Sequence, residues 1–392
     1  MRTTGLKTLP LAIVAVSFLA PLLRIAAAEV SSTSPSMHWY RGNTHTHTKF
    51  SDRSDANAPP TEVVNWYKSH GYQFLVITDH ENLTDVDPLN KVYAQPGRFI
   101  VLRGQEITQV VADPAHVGGV RHAHINGINT RARIMPILPA ENSRLIGIMK
   151  IAATGVSVTQ TYQRNLAEIE RAGGLPQINH PNLLWSVELK DLLPLNRPYL
   201  LEIWNGYPAS NNLGGSDGEG HTSPSAESLW DALLSQGKIV WGVGSDDAHA
   251  YYSFDNPETP TPGRAWVVAC ARELSTDDIV EALRLGHFYA STGIKLRSYS
   301  VDDQGIVIEI ERLADWSPNL ESVTRYTTHF IGRDGRVLSE VSGLAPHFTF
   351  GGDETYVRAS IMDSDGRRAW TQPVFRDVRK GTPGAPAQCR GD

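Results

Sequence analysis

Between Met37 and Leu296 the chain alternates short apolar runs with segments bounded by helix start and stop signals, and several runs end on residues that can bind a metal. Thr61 can cap a helix that Gly71 ends, and the stretch from Gln73 to Thr78 then reads as a buried strand. The stretch from Phe99 to Arg103 reads as another. A helix near Gln160 to Ala172 stops at Gly173 and Gly174, and a strand follows that leads to Asn179 and His180. Tyr199 to Trp204 and Lys238 to Gly244 read as strands on either side of a helix opened by Ser223-Pro224 and closed by Gly237. Ser275 with Asp278 starts a further helix that Gly286 ends. Strands alternating with helices imply a parallel sheet, or a barrel with its helices outside.

The pattern changes after Leu296. Residues 297–378 hold β-like runs separated by Asp334-Gly335 and Asp365-Gly366 turns, which predicts a small all-β, sandwich-like domain. Residues 379–392 are rich in Pro and Gly and are expected to form a flexible tail. A chain of 392 residues is too long for one ordinary domain, so a large catalytic domain over 38–296 plus a smaller appendage is the natural division. A net charge of -6 argues against a dedicated nucleic-acid or anionic-membrane binder, while leaving room for a local basic pocket for one phosphate.

The first residues carry an address. Arg2 and Lys7 form a basic head, Leu9 to Leu23 is an almost uncharged apolar run, and Ala26-Ala27-Ala28 supplies small residues before Glu29. This is the pattern of a cleaved signal peptide over 1–28, and the run is short for a spanning helix, which needs about 20 apolar residues. The mature chain is therefore expected outside the cytoplasm, periplasmic or secreted, with no transmembrane segment. The alternative is an uncleaved anchor. Cys270 lies in an apolar run and Cys389 in the Pro/Gly-rich tail; nothing in the sequence brings them together, so both read as free thiols.

Fourteen histidines are present, and their placement matters more than their number. His45 and His47 are two apart, so on an extended chain both imidazoles can face one ion. His80 ends one apolar run, Glu106 follows a second and His180 a third, while Asp247 and His249 repeat the period-two spacing after a fourth. Each is weak alone, because a lone strand-end histidine is more often a hydrogen-bonded structural residue than a ligand. Asp52, in the same way, reads alone as a turn or helix-cap aspartate. Their coincidence at equivalent strand ends changes the odds, since the ends of barrel strands converge on one face.

The segments NTHTHTKFSD, ITDH, GQEIT, INHP and GSDDAH resemble the successive motifs of the PHP superfamily, named for polymerase and histidinol phosphatase. The resemblance runs from about His38 to Gly293, and ALRLGHFYASTG with the β-rich end resembles the CehA/McbA branch of bacterial metallohydrolases. It implies a distorted (β/α)7 barrel holding two or three divalent ions, with phosphoester hydrolysis in many members and cleavage of carbamate or other esters in some. By the resemblance, His45 and His47 hold the first metal, closed by Asp247, and Asp52 joins His80 and His249 on a second. Glu106 then bridges metals, His180 is a ligand of the third, and one more histidine is needed shortly after the glutamate. His124, in HINGIN, has the best context for that place; His122 lies on the same face if the segment is extended, and His116 has the closer spacing. Asp246 could compete with Asp247, but only Asp247 has the DxH spacing.

Other polar residues have less distinctive settings. Asp79 reads as a partner of a ligand or a turn residue, and Arg264 or Lys295 could hold a phosphate or simply sit on the surface. Glu202 and Asn205 flank a strand end and could line the pocket or merely pack. His221 lies in a Gly/Ser/Asn-rich stretch that could form a loop over the site. The expected protein is an exported metal-dependent hydrolase of a small-molecule ester, with a phosphodiester or phosphomonoester as leading substrate. Zinc, manganese or iron suits the mixed His/carboxylate set, and Glu106, Asp247 and His249 are expected at the reacting centre, where metals activate water. A carboxylic or carbamic ester or an amide is the second possibility, and a non-catalytic metal-binding envelope protein the third. Ser-His-Asp catalysis is a poor rival, because no GxSxG-like elbow accompanies the histidines.

Overall fold

The computed structural model describes residues 1–2, 37–51, 55–137, 156–216, 218, 222–313, 324–376 and 388–390. The expected signal segment, Asp52, His221 and most of the expected tail lie outside the described residues. Strand β1 (His38–Asn43) is followed by helix α1 (Pro60–Ser69), β2 (Phe74–Ile77), α2 (Asp87–Tyr93) and the long β3 (Ile100–Ala112). β4 (Val120–Ile128) returns directly, then α3 (Val158–Arg171) leads to β5 (Leu175–Ile178) and α4 (Leu189–Leu192) to β6 (Leu200–Asn205). A hairpin of β7 (Gly215–Ser216) and β8 (Thr222–Ser223) precedes α5 (Ala226–Ser235), β9 (Trp241–Ser245) and β10 (Trp266–Ala271). Helix α6 (Thr276–Leu285) and β11 (Phe288–Ser291) complete this part.

Helices α3 and α6 lie close to where the sequence signals place them. By contrast, α1 begins at Pro60 with Pro59 rather than Thr61 at its cap, Ser225 heads α5, and those signals mark neither α2 nor α4. Ser157 and Gln160 form a reciprocal capping box at the head of α3, which buries Val158, Tyr162, Leu166 and Ile169 along one stripe. Ser275 accepts from the Asp278 amide at the head of α6, and Gly286 ends that helix in the left-handed conformation that a residue without Cβ adopts most easily.

Sheet topology departs from simple alternation. β1–β2, β2–β3, β5–β6 and β6–β9 pair in parallel, but β3–β4 and β4–β5 are antiparallel. Only a single 3-10 turn, Val117–Gly119, separates β3 from β4. The sequence reading stopped the strand at Arg103, whereas β3 runs on to Ala112 and its β-branched residues stay paired with β4 from Gly104↔Ile128 to Ala112↔Val120. Beyond their ends β1 and β9 meet: the His47 amide donates to Ala248 O at 3.0 Å, the Asp247 amide to His45 O at 2.9 Å, and Thr46 bridges Ala248 in parallel. Beyond the end of β2, His80 likewise forms a parallel bridge with Glu106 within β3. Backbone pairing thus carries the candidate ligands of four strands to one place.

The remaining strands are β12 (Leu296–Val301), β13 (Gly305–Ile310), β14 (Tyr326–Ile331), β15 (Val337–Ser342), β16 (His347–Thr349), β17 (Tyr356–Asp363), β18 (Arg368–Thr371), β19 (Val374–Phe375) and β20 (Gln388–Arg390). Their mutual ladders are antiparallel, and β13 shows half-buried alternation, with Ile306, Ile308 and Ile310 inside and Val307 and Glu309 outside. They are not set apart from the first part. β18 pairs with β11, Gln372 exchanges two 2.8 Å hydrogen bonds with the backbone of Gly242, and one apolar cluster contains Leu75, Ile77 and Val101 together with Ile306, Phe330 and Val357. The fully buried Arg358 donates to Asp231 and Glu227 on α5.

The cysteine reading is overturned. Cys270 on β10 and Cys389 on β20 form a disulfide, with Cα atoms 6.1 Å apart and 119 residues between them in sequence. β20 lies beside β1 and β12, so this part of the expected loose tail is strand. That pairing creates the proximity. Neither cysteine's local context could signal it.

Candidate metal centre

His45 and His47 project from the extended continuation of β1 towards one side, as their spacing predicts. His45 Nε2 lies 3.2 Å from His47 Nε2, 3.4 Å from Glu106 Oε2 and 3.1 Å from Asp247 Oδ1. His47 Nε2 in turn lies 3.3 Å from Glu106 Oε2 and 3.1 Å from Asp247 Oδ1. Four donor atoms placed tetrahedrally about an ion at ~2.0–2.1 Å are about 3.3–3.4 Å from one another. The four side chains are therefore spaced as ligands of one divalent ion, and all four are buried.

Glu106 faces two ways. While Oε2 is turned to His45, His47 and, at 2.9 Å, His80 Nδ1, Oε1 lies 3.1 Å from His124 Nδ1 and 3.5 Å from His180 Nε2. Glu106, His124 and His180 make a second buried ligand group, and His47, His80 and His249 a third. The three groups form a chain linked by His47 and Glu106. In the third, the His47 ring stacks between those of His80 and His249, with centroids 4.3 and 4.2 Å away. Asp55 reaches this group from the outside, its Oδ2 lying 3.1 Å from His80 Nε2 and 3.8 Å from His249 Nε2.

Neighbouring residues set the orientation of the ligands. Glu202 accepts from His45 Nδ1 at 2.7 Å, which leaves the Nε2 lone pair facing the cluster. Glu202 is itself held by Gln177 at 3.0 Å, the His180 amide at 2.6 Å, Asn205 at 2.7 Å and the Ser245 hydroxyl. His249 Nδ1 is fixed on Asp247 O at 2.8 Å, and Asn179 donates to Glu106 Oε1 at 3.0 Å. By contrast, His47 Nδ1 and His124 Nε2 are buried with no hydrogen-bond partner among the described residues. Such orphaned nitrogens are costly in a protein interior and suit lone pairs that bind a cation. His180 and Asp247 also hold left-handed backbone conformations, at φ 26° and 51°, of the kind that persists where surrounding structure fixes a ligand in place.

The charge states agree with a cation site. Burial would depress His45, but the carboxylates of Asp247, Glu202 and Glu106 hold it well above the usual range. Burial, with His249 and His80 beside it, lowers His47 to about 3, and burial takes His124 well below its ordinary value. Against burial, Glu106 and Asp55 raise His80 to about 10. Glu106 is held well below the carboxylate range despite burial, chiefly by His80 and His45, and Asp247 likewise by His45 and His47. Ionised Glu106 and Asp247 beside a His47 and a His124 that resist protonation are ligand states a divalent ion needs, whereas His45, His80 and His180, whose protonated forms the carboxylates favour, would release protons to such an ion.

The structure brings His45, His47, His80, Glu106, His124, His180, Asp247 and His249 together. Among the histidines after the glutamate, His124 enters a ligand group; His122 neighbours it at 5.4 Å between ring centroids, and His116 binds Leu184 O at 2.9 Å on the exterior. Asp246 turns the other way. Its carboxylate accepts the amides of Gly263, Arg264 and Ala265 and the Tyr67 hydroxyl, so it ties a loop to α1. Asp79 accepts the Thr48 amide at 2.6 Å and thereby fixes the turn after His47. Arg264 has other work than phosphate: its guanidinium donates to Gly206 O, Pro257 O, Thr259 O and Thr261 Oγ1. Lys295 sits on the surface near Glu311, 3.7 Å away. Sequence reasoning missed Asp55, because Asp52 has the expected spacing from His47 and masks its neighbour three residues on.

No family model matches the chain, and no curated protein does. Among solved structures it is similar to a two-domain protein from Bacteroides vulgatus containing a PHP-like metal-dependent phosphoesterase, with 16% identity over 83% of this chain and 90% of that one, at a TM-score of 0.41. A protein from Bifidobacterium adolescentis described as a metal-dependent phosphoesterase gives 16% identity over 56% and 89%, at 0.34. A lesion-specific endonuclease from Pyrococcus furiosus gives 14% over 63% and 56%, at 0.35. At such scores, what the chain does has to be read from its own side chains.

Proposed function

We propose that the chain is an exported metal-dependent hydrolase that cleaves a phosphoric ester, a diester or monoester, of a small molecule. The two-sided carboxylate of Glu106 carries this reading, because its oxygens belong to adjacent ligand groups and so can bridge two ions. Zinc, manganese or iron would be held by His45, His47, Glu106 and Asp247, with further ions at Glu106, His124 and His180 and at His47, His80, His249 and Asp55. Divalent ions so placed supply an acidified water and Lewis acidity at the ester. Three linked ligand groups suit an ester with several anionic oxygens better than a neutral one.

The chain's own residues build the conditions for that chemistry. Glu202 fixes the tautomer of His45, and Asn205 ties Glu202 to Asp247 Oδ2 at 3.3 Å. Asn179 and Asn126 lock Glu106 in its bridging orientation. Two further parts of the reading have support of the same kind. The contact of β1 with β9 beyond their ends supports a distorted seven-stranded barrel, with a sandwich-like C-terminal part. The disulfide supports an oxidising compartment, periplasmic or extracellular.

The test is turnover of matched nitrophenyl phosphodiester, phosphomonoester and carboxylic ester substrates by metal-loaded protein, with His47→Ala as blank. Metal-dependent phosphate-ester turnover, absent from the variant, is the expected result. Turnover of the carboxylic ester alone would transfer the reading to carboxylic or carbamic esters. Metal-loaded protein silent on all three would instead favour a non-catalytic metal-binding role.

A further inference from the structure

A metal cluster of this kind still needs a proton-bearing group on the substrate side, and no histidine in it serves, because each is a ligand or bound to a carboxylate. Arg264 does not supply one either, since loop carbonyls hold its guanidinium. Tyr207 is different. It follows β6 on the turn Asn205-Gly206-Tyr207, and its ring meets that of His249 edge-on, with centroids 5.7 Å apart and planes at 78°. The ring is half-buried, and among the described residues its hydroxyl has no hydrogen-bond partner. Several other hydroxyls near the cluster are engaged, Thr108 with His80, Ser245 with Glu202, and Tyr251 and Tyr67 with Thr46, while that of Thr44 is wholly buried.

The turn holds this ring rigidly. The Tyr207 amide donates to Asn205 Oδ1 at 2.8 Å, and the other end of the Asn205 amide group binds Glu202. The Gly206 amide donates to Ser245 O at 2.8 Å, and a Cβ at Gly206 would come within 2.7 Å of Asp246 O, so the turn is pressed against the strand that carries Asp247. A phenol is protonated over the neutral range, with an ordinary pKa of about 10.

We propose that Tyr207 is a substrate-contacting residue, whose hydroxyl donates a hydrogen bond to an anionic oxygen of the ester bound at the metal centre. The inference rests on the phosphoesterase reading and adds to it the non-metal donor that the ligand set lacks. No bond is made or broken by this contact. The phenol keeps its proton and orients the oxygen.

The experiment uses metal-loaded full chain and Tyr207→Phe, each titrated calorimetrically with inorganic phosphate and with phenylphosphonate after its metal content has been measured. A hydrogen bond to a charged group contributes enough to expect roughly tenfold weaker binding of both probes by the variant, with metal content and thermal stability unchanged. Equal affinities would overturn the role of Tyr207, as would a parallel loss of metal, which would make it a support of His249 alone. Failure of the unsubstituted, metal-loaded chain to bind either probe would overturn the phosphate reading itself and this inference with it. In steady state the same substitution should raise KM for phosphate esters more than it lowers kcat.

Discussion

Glu202 accepts a hydrogen bond from His45 Nδ1 at 2.7 Å and so decides which nitrogen of that ring faces the metal centre. Both side chains are fully buried, and Glu202 takes further donors from Gln177, Asn205, Ser245 and the His180 amide. This carboxylate therefore steers a ligand of one group through its side chain and of another through its backbone.

Glu202→Gln should keep the fold and lose metal. The amide can still accept from Nδ1, but it removes a charge from beside His45 and presents a donor where five donors already converge. Losses of this type are typically about 10–100-fold in metal affinity. Competition with a chromophoric chelator measures it, and an unchanged affinity would show that Glu202 only packs.

Asp55 lies 3.1 Å from His80 Nε2, against the outer side of the ligand group of His47, His80 and His249. Asp55→Asn should reduce the tightly held metal by one equivalent relative to the unsubstituted chain while leaving the ion of His45, His47, Glu106 and Asp247 in place. Elemental analysis after dialysis decides. A stoichiometry that stays the same would return this position to Asp52.

The contrast between those two aspartates shows what the sequence made legible. Ligands at strand ends could be read because an apolar run announces its own end and because period-two spacing fixes which side chains share a face, as at His45/His47 and Asp247/His249. Asp55 sits in a stretch without periodicity, where spacing from His47 points to Asp52 and no local pattern signals that the Asp55 carboxylate turns to His80. His122 and His124 present the same ambiguity within one strand, resolved by the long β3–β4 ladder that sets Thr108 opposite His124. That ladder was itself unreadable as a hairpin, since β3 is buried along nearly all its length and shows no inside–outside alternation where the strand was expected to stop. Cys389 is the extreme case: its partner is 119 residues away and its own context is Pro/Gly-rich.

The Cys270–Cys389 disulfide should be a substantial part of the stability of the β1–β20–β12 region. Closing a loop this long restricts the unfolded chain, and removal of such a bond typically costs ~2–5 kcal/mol. Cys389→Ser should therefore lower the thermal midpoint in non-reducing buffer, and reductant should lower that of the unsubstituted chain to match. A midpoint indifferent to both changes would mean that the strand pairing of β20 holds without the bond.

The buried Arg358 sets a pH dependence remote from the metal centre. Burial would raise the carboxyl of Glu227, but the Arg358 guanidinium, 2.8 Å away, outweighs it and holds the group below its ordinary 4.5. A carboxyl depressed on folding contributes stability that is fully present above its unfolded pKa and is lost as pH falls through the folded one. Denaturant midpoints of the metal-free protein should therefore fall as pH drops below about 4.5. Glu227→Gln, which cannot ionise, should start lower at neutral pH and lose less over the same window. Comparing the two series removes the contribution of the cluster carboxylates, which both proteins share. Parallel curves would mean that Asp231, bound to Arg358 at 2.6 and 2.8 Å, satisfies the guanidinium without Glu227.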